Sequence, residues 1–280
     1  MIPAPFEYEV AESAEHAVSL LAGREDAKLL AGGHSLLPAM RLRLARPSLL
    51  VDIGRIPGLA YVRDAGDAIA IGALTRHKEA AESPLLAEQC PIVAATAAQI
   101  GDPQVRHRGT IGGSLAHGDP ASDLPAVMLA LEAQLVARGP DGERTIPAAD
   151  FFTGVFETAL SPAEMLVEVR VPKHGPRTRS TYLKTSRRAQ DWATVAVAAV
   201  VERSNGAIES ARIALTNMGA TPLRATAVEQ ALAGGASIED AAALAAEGTE
   251  PPSDYAASAD YRRHLVRVLT RRALQEAASR

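Results

Sequence analysis

The chain has 280 residues, 47% of them hydrophobic and 22% charged, with a formal net charge of −4. That length accommodates two domains with their own cores, and that balance excludes both a disordered chain and a global basic field for nucleic acid or an anionic membrane. The single cysteine, Cys90, excludes an internal disulfide and any iron–sulfur or zinc site ligated by cysteines of this chain alone.

The N-terminal stretch "MIPAPFEYEVAESAE" has no basic region followed by an apolar core, so it reads as the start of a mature cytoplasmic protein. Within it "FEYEV" predicts a strand, and Ser13 caps a helix over "AEHAVSLLAG". "AKLLA" predicts a second strand that runs into the glycine pair of "AGGHSLLPAMRLR". Adjacent glycines contribute no packing, so they are kept where φ is positive or where another group must touch the main chain. "SLLVDI" and "AIAIGAL" predict further strands, Thr75 opens a short helix, and "LLAEQCPIVAATAAQI" predicts one buried helix. A second glycine pair follows in "GTIGGSLAHGDPASD", where Asp123 is placed to cap the next helix or to accept a ribose hydroxyl.

"LPAVMLALEA" then predicts a helix with Pro125 in its first turn, and "AQLVARGPDGERTIPA" a hairpin turning at Pro140, Asp141 and Gly142. "EMLVEVRVP" closes the first unit as a strand, and the breaker-rich "KHGPRTRS" marks a boundary between domains 1–175 and 176–280. Three strands in a meander follow, with a turn at Asn205 and Gly206, and then helices. The apolar run Val195–Val201 is far short of the roughly 20 residues that span a bilayer, so no membrane span is expected. In the last helix Leu265, Val268, Leu269 and Leu274 predict the core face, with Arg262, Arg263, Arg267, Arg271 and Arg272 on another face as a candidate edge for a partner. The histidines show no HxH or HExxH pairing, so no metal site is expected.

Two glycine turns that gather backbone amides suit a pyrophosphate, and hence a dinucleotide. Neither spells GxGxxG or GxxxxGK[ST], which sets aside the usual nicotinamide and P-loop architectures. "AGGHSLLPAM", "VDIGRI", "IGDPQVRHRGTIGGSLAHGDPASDLPA", "TYLKTSRRAQDWATVAVA" and "IALTNMGATPLRA", with nearly eighty residues between the glycine motifs, together resemble the FAD-binding medium subunit of molybdenum hydroxylases, of the carbon monoxide dehydrogenase type. The resemblance runs over essentially the whole chain.

It implies an α+β fold: a vanillyl-alcohol-oxidase-like (PCMH-type) FAD-binding domain of two subdomains, then a C-terminal three-stranded antiparallel sheet with helices. It implies that Ala31, Gly32, Gly33, His34 and Ser35 form the first pyrophosphate motif and Thr110, Ile111, Gly112, Gly113 and Ser114 the second. Ile100 becomes an apolar wall beside the ring system, Asp123 a contact near the sugar, Leu166 an apolar contact and Lys184 a basic contact near the flavin. Trp192 stands where close relatives carry tyrosine, and Ser114 and His117 where many carry asparagine or alanine. No residue is expected to be catalytic, because the flavin supplies the redox chemistry.

The resemblance further implies a small subunit with two [2Fe–2S] clusters and a molybdopterin large subunit, assembled as a dimer of heterotrimers. Electrons from the clusters pass through FAD to an external acceptor. Carbon monoxide, heterocycles, purines and aldehydes are substrates within the family, oxidised on another subunit. Two other readings compete: a free-standing flavin oxidase with FAD attached covalently at His34, and a flavin-binding assembly module that never turns over.

Overall fold

The computed structural model describes residues 2–204 and 207–279. It opens with β1 (Glu7–Val10), α1 (Ala14–Ala22), β2 (Lys28–Leu30), α2 (Leu36–Arg41) and β3 (Leu49–Asp52), whose strands form a parallel sheet in the order β1-β3-β2. The Ser13 hydroxyl accepts from the His16 amide at 3.1 Å and caps α1 as the sequence predicts. Ala14, Ala17, Val18 and Leu21 of this helix pack with Leu49 and Val51 of β3 in a core of their own.

A second sheet begins with β4 (Val62–Asp64) and β5 (Ala68–Gly72). Short helices follow: α3 (His77–Ala81), α4 (Pro84–Gln89), α5 (Pro91–Gln99), α6 (Pro103–Arg108), α7 (Ile111–His117) and α8 (Asp123–Ala130). Two sequence expectations change here. The helix predicted across residues 85–100 breaks in two, because Pro91 has no N–H with which to continue α4 and Cys90 leaves the helical region at φ −154°, ψ 63°. Thr75 does not open α3, whose N-cap is Arg76; the buried Thr75 hydroxyl donates to the Tyr61 carbonyl instead, at 2.9 Å.

The predicted hairpin is β6 (Gln134–Gly139) with β7 (Gly142–Pro147). After α9 (Ala148–Phe151) and the small ribbon of β8 (Phe152–Gly154) and β9 (Glu157–Thr158), strand β10 (Met165–Pro172) enters the centre of an antiparallel sheet ordered β4-β5-β10-β6-β7.

The rest of the chain forms β11 (Thr178–Thr185), β12 (Val195–Ser204), β13 (Ala207–Thr216), β14 (Leu223–Arg224), α10 (Thr226–Ala233), α11 (Ile238–Ala243) and α12 (Ala259–Ser279). The sheet is antiparallel in the order β11-β12-β13-β14, so the short β14 joins the three strands read from the sequence. The turn expected at Asn205 and Gly206 lies outside the described residues.

Strand β12 explains the long apolar run. Ala196, Ala198 and Val200 face the core shared with α5 and α8, while Val195, Val197, Ala199 and Val201 face α10, α11 and α12. A strand covered on both faces loses the usual apolar–polar alternation. The C-terminal sheet is thereby the middle layer between the helices of the first unit and its own.

In α12 the buried face is Arg262, Val266, Leu269, Thr270, Ala273, Leu274 and Ala277, one step round from the face predicted. Leu265 and Val268 are only partly buried, and Arg262, assigned to the outer face by its charge, is 0% exposed. Its guanidinium is buried because Asp254 and the Thr194 carbonyl both accept from it. No helix among the described residues is long and apolar enough to cross a membrane.

Candidate flavin site

The first glycine motif is a true turn. Leaving β2, the chain passes Ala31 and Gly32, takes φ +79° at Gly33 and enters α2 behind Ser35. Among the described residues the amides of Gly32, Gly33, His34 and Ser35 find no backbone acceptor. Gly32 answers a different need, since a Cβ there would overlap the Arg108 carbonyl and come within 2.9 Å of Gly109 Cα. The first motif is therefore pressed backbone to backbone against the approach to the second.

The second motif is the first turn of α7 rather than a loop. The Thr110 hydroxyl caps the helix by accepting from the Gly113 amide at 3.0 Å. The remaining amides are also taken: Ile111 donates to the Thr75 carbonyl (2.9 Å), Gly112 to Ala73 (2.8 Å) and Ser114 to Thr110 (3.0 Å). Gly112 is buried, and a Cβ on it would lie 2.5 Å from Ala73 Cβ. Gly113 is exposed; a Cβ on it would lie 2.6 Å from the Thr110 hydroxyl that caps the helix and 3.9 Å from the Ala31 Cβ of the first motif. The two motifs thus face each other across one groove.

Cations gather behind this groove. Arg76 donates to the Arg108 carbonyl, and burial, followed by the charges of Arg76, Arg106 and His34, holds the buried His77 imidazole down at about 4. A turn whose four amides are free among the described residues, with cations behind it, forms a site for a di-anion; the start of α7 adds a wall and no donors, since its own amides are taken. The glycine walls leave that site unfilled by side chains, so the residues present fit the pyrophosphate of a dinucleotide.

Further along lies a cleft of about 450 Å³ between the end of α5 and the loop after β11. Gln99, Asp102 and Arg106 line one side, and Lys184, Ser186 and Gln190 the other. Lys184 does not stand alone in it: its Nζ donates to Asp123 Oδ2 at 2.9 Å, and the Tyr182 hydroxyl donates to Asp123 Oδ1 at 2.7 Å. Both ion-pair side chains are under a tenth exposed, at 6% and 7%. Burial pushes the Asp123 carboxyl above the ordinary carboxylate range, against the pull of Lys184 and Tyr182, and burial likewise raises the Tyr182 hydroxyl. The cap of α8 is Ser122, so Asp123 serves as the buried partner of Lys184 and not as the cap expected.

Ile100 follows α5 between cleft-lining Gln99 and Gly101 but packs against the core and does not line the cleft itself, and its carbonyl accepts from Arg106 at 3.0 Å. Leu166 is 5% exposed within the core on β10. Trp192 lies two residues beyond Gln190 on the loop and is 60% exposed. Gln99, Asp102, Arg106, Ser186 and Gln190 were not singled out in the sequence. They fall inside the quoted stretches "IGDPQVR" and "TSRRAQDW", but polar residues beside a turn carry no spacing signal of their own.

Residues 4–174 match the family model described as the FAD binding domain in molybdopterin dehydrogenase, and residues 180–277 the CO dehydrogenase flavoprotein C-terminal domain. The carbon monoxide dehydrogenase medium chain of Hydrogenophaga pseudoflava is 44% identical, covering 100% of this chain and 99% of the relative. The 6-hydroxypseudooxynicotine dehydrogenase complex subunit alpha of Paenarthrobacter nicotinovorans is 42% identical over 100% of this chain and 97% of its own length. Among solved structures, reconstituted CO dehydrogenase from Oligotropha carboxidovorans superposes with a TM-score of 0.97 at 41% identity, covering 100% of both chains. The two glycine motifs, the groove between them and both domains therefore carry one conclusion: the chain belongs to the FAD-binding medium subunits of molybdenum hydroxylases of the carbon monoxide dehydrogenase type.

Proposed function

We propose that the chain holds FAD noncovalently as the electron outlet of a three-subunit hydroxylase, and that the division of labour inside it follows the domains 1–175 and 176–280. The first is read as the PCMH-type domain of the vanillyl-alcohol-oxidase class, with the parallel and antiparallel sheets as its two subdomains. In the second, the sheet of three long strands backed by helices closes over the flavin. The observation that carries the reading is that, among the described residues, the four amides at Gly32 to Ser35 have no acceptor, on a turn whose Ala31 lies against Gly113.

In this reading Ala31–Ser35 cradle the pyrophosphate, and Thr110–Ser114 form the opposite wall, with Gly113 and Ser114 nearest the phosphates. Ile100 walls the ring system, Lys184 presents its ammonium to it, and Trp192 shields it. Leu166 supports the site from the core. Asp123 acts through Lys184 and fixes where that ammonium points. Bound FAD supplies the redox chemistry, taking electrons from [2Fe–2S] clusters and yielding them to an external acceptor. The clusters belong to a small subunit and the molybdopterin to a large one, as a dimer of heterotrimers in the cytoplasm. Substrate choice belongs to the large subunit, because relatives as similar as the medium chains of carbon monoxide dehydrogenase and a 6-hydroxypseudooxynicotine dehydrogenase bear different substrate names.

Purified alone, the chain should show a flavin spectrum without iron or molybdenum, release all its FAD on acid precipitation, and oxidise none of the family's substrates. With its partners it should be reduced by the complex's substrate. Flavin that stays with the acid precipitate overturns noncovalent binding and revives attachment at His34. Turnover by the isolated chain, at on the order of 1 to 10³ per second, overturns the electron-outlet reading.

A further inference from the structure

The loop that carries Trp192 is held at its base by side chains from outside its own hairpin. Residues 186–194 join β11 to β12, and the Thr194 amide closes the hairpin by donating to the Thr185 carbonyl at 2.8 Å. Nearer the tip, Arg188 meets Asp191 at 3.0 Å. Both contacts lie within the hairpin, so neither fixes how the loop stands against the cleft.

Outside the hairpin, the exposed Arg187 reaches the Tyr255 carbonyl at 3.4 Å, and the buried hold on the loop is at Ala193 and Thr194. Asn217 Nδ2 donates to the Ala193 carbonyl at 2.8 Å and to the Thr194 carbonyl at 3.3 Å. Arg262 Nη1 donates to the same Thr194 carbonyl, and Nη2 lies 2.7 Å from each carboxylate oxygen of Asp254. Asn217 directly follows β13, has φ +62° and is 9% exposed. Its own amide donates to the Pro120 carbonyl at 2.9 Å, in the segment that leads from α7 to Asp123. Left-handed asparagines are common at exposed turns, where the side chain bonds locally. This one is buried, and its backbone and side chain reach two different segments, one leading to Asp123 and the other closing the Trp192 loop.

We propose that Asn217 is a positioning residue, which together with Arg262 sets the 186–194 loop and its Trp192 indole against the flavin. The proposal rests on the reading that the ring system occupies the cleft beside Lys184. A carboxamide suits the task because its NH₂ carries two hydrogens for two carbonyls, and asparagine tolerates the left-handed backbone. Aspartate in its place keeps the shape and the bond to Pro120 while turning an acceptor oxygen toward two other oxygens. Glycine keeps the backbone and deletes both donors.

Trp192 is the sole tryptophan of the chain beside five tyrosines, so emission excited at the red edge of indole absorption, where tyrosine does not absorb, reports this loop alone. An indole against the flavin is quenched. Stripping FAD from the wild type should therefore raise emission several-fold, and FAD-loaded Asn217→Asp and Asn217→Gly should emit several-fold more than the FAD-loaded wild type at equal FAD stoichiometry. Variants as quenched as the wild type overturn the positioning role of Asn217. Wild-type emission that ignores FAD removal overturns the placement of Trp192 at the flavin, a separate failure. Should Asn217→Asp not load FAD, Asn217→Gly introduces no new charge and decides the question.

Discussion

At Gly32 and Gly33 the chain turns with its amides free, whereas at Gly112 and Gly113 it winds the first turn of α7 with the amides taken by Ala73 and by the Thr110 hydroxyl. The same dipeptide therefore answers different demands. Gly33 supplies a left-handed φ, Gly32 and Gly112 permit backbone to touch its neighbours, and Gly113 leaves room for the Thr110 hydroxyl that caps α7 beside the groove. The first motif is a pliant cradle whose hydrogen bonds await a ligand. The second is part of the frame, continuous through α8 with the buried Asp123–Lys184 pair. Substitutions on the frame side should act on folding, and those in the cradle on FAD.

The largest effect expected is on the frame. Lys184→Met removes one partner of a buried ion pair, which costs about 3–5 kcal/mol of stability. Because burial raises the Asp123 carboxyl in the fold, it takes up its proton at a higher pH there than in the unfolded chain, so this loss is full where the carboxyl is charged, at neutral pH, and eases as pH falls and it protonates. Urea unfolding across pH measures it. A variant as stable as the wild type at neutral pH would return Lys184 to the surface. Gly112→Ala should cost less, about 1–3 kcal/mol for overpacking against Ala73, visible in the FAD-free chain.

Gly33→Ala sharpens the contrast from the other side. Its Cβ meets the movable end of Leu37 at 2.9 Å, so the main cost is the left-handed backbone, about 1–2 kcal/mol. The amides of this turn make no internal bonds, so without FAD the turn relaxes, and the strain returns when the ligand demands the same shape. FAD should bind about 5- to 30-fold more weakly while urea unfolding of the FAD-free chain hardly moves. Equal losses of stability at Gly33 and Gly112 would dissolve the distinction between cradle and frame.

Much of this was legible in the sequence wherever a local rule operates. The Ser13 cap, the hairpin about Pro140–Gly142 and both glycine pairs are read from neighbours in the chain. What escaped depends on distant partners. The amides of the second motif are taken by Thr75 and Ala73, some forty residues upstream, so composition alone could not tell a helix start from a ligand loop. Arg262 looks solvent-bound until Asp254 and Thr194 surround it, and Asn217 looks like an ordinary turn residue until its reach to Pro120 and Ala193 is seen. Lys184 was named for its chemistry, but its buried partner came only with the fold.

The smallest effect concerns the seam where cradle and frame touch. His77 donates its amide to the Gly109 carbonyl at 3.0 Å, and its ring leaves no room for a Cβ on Gly109, whose Cα in turn blocks one on Gly32. Its imidazole is held neutral, down at about 4, first by burial and then by Arg76, Arg106 and His34. The sign follows from the lowered value: stability is present above the unfolded value of about 6.5 and is lost as pH falls from there toward about 4. Between about pH 7 and about pH 5.5 that amounts to about 1 kcal/mol. His174, also held near 4 by burial, adds a similar share away from the groove. His117 is also held down by burial, so His77→Gln should remove part, and not all, of the acid loss of stability in urea titrations. It should also keep FAD bound at an acidity where the wild type begins to shed it. An acid limb identical in variant and wild type would mean that the seam does not sense protons, and that the cradle and the frame part for another reason.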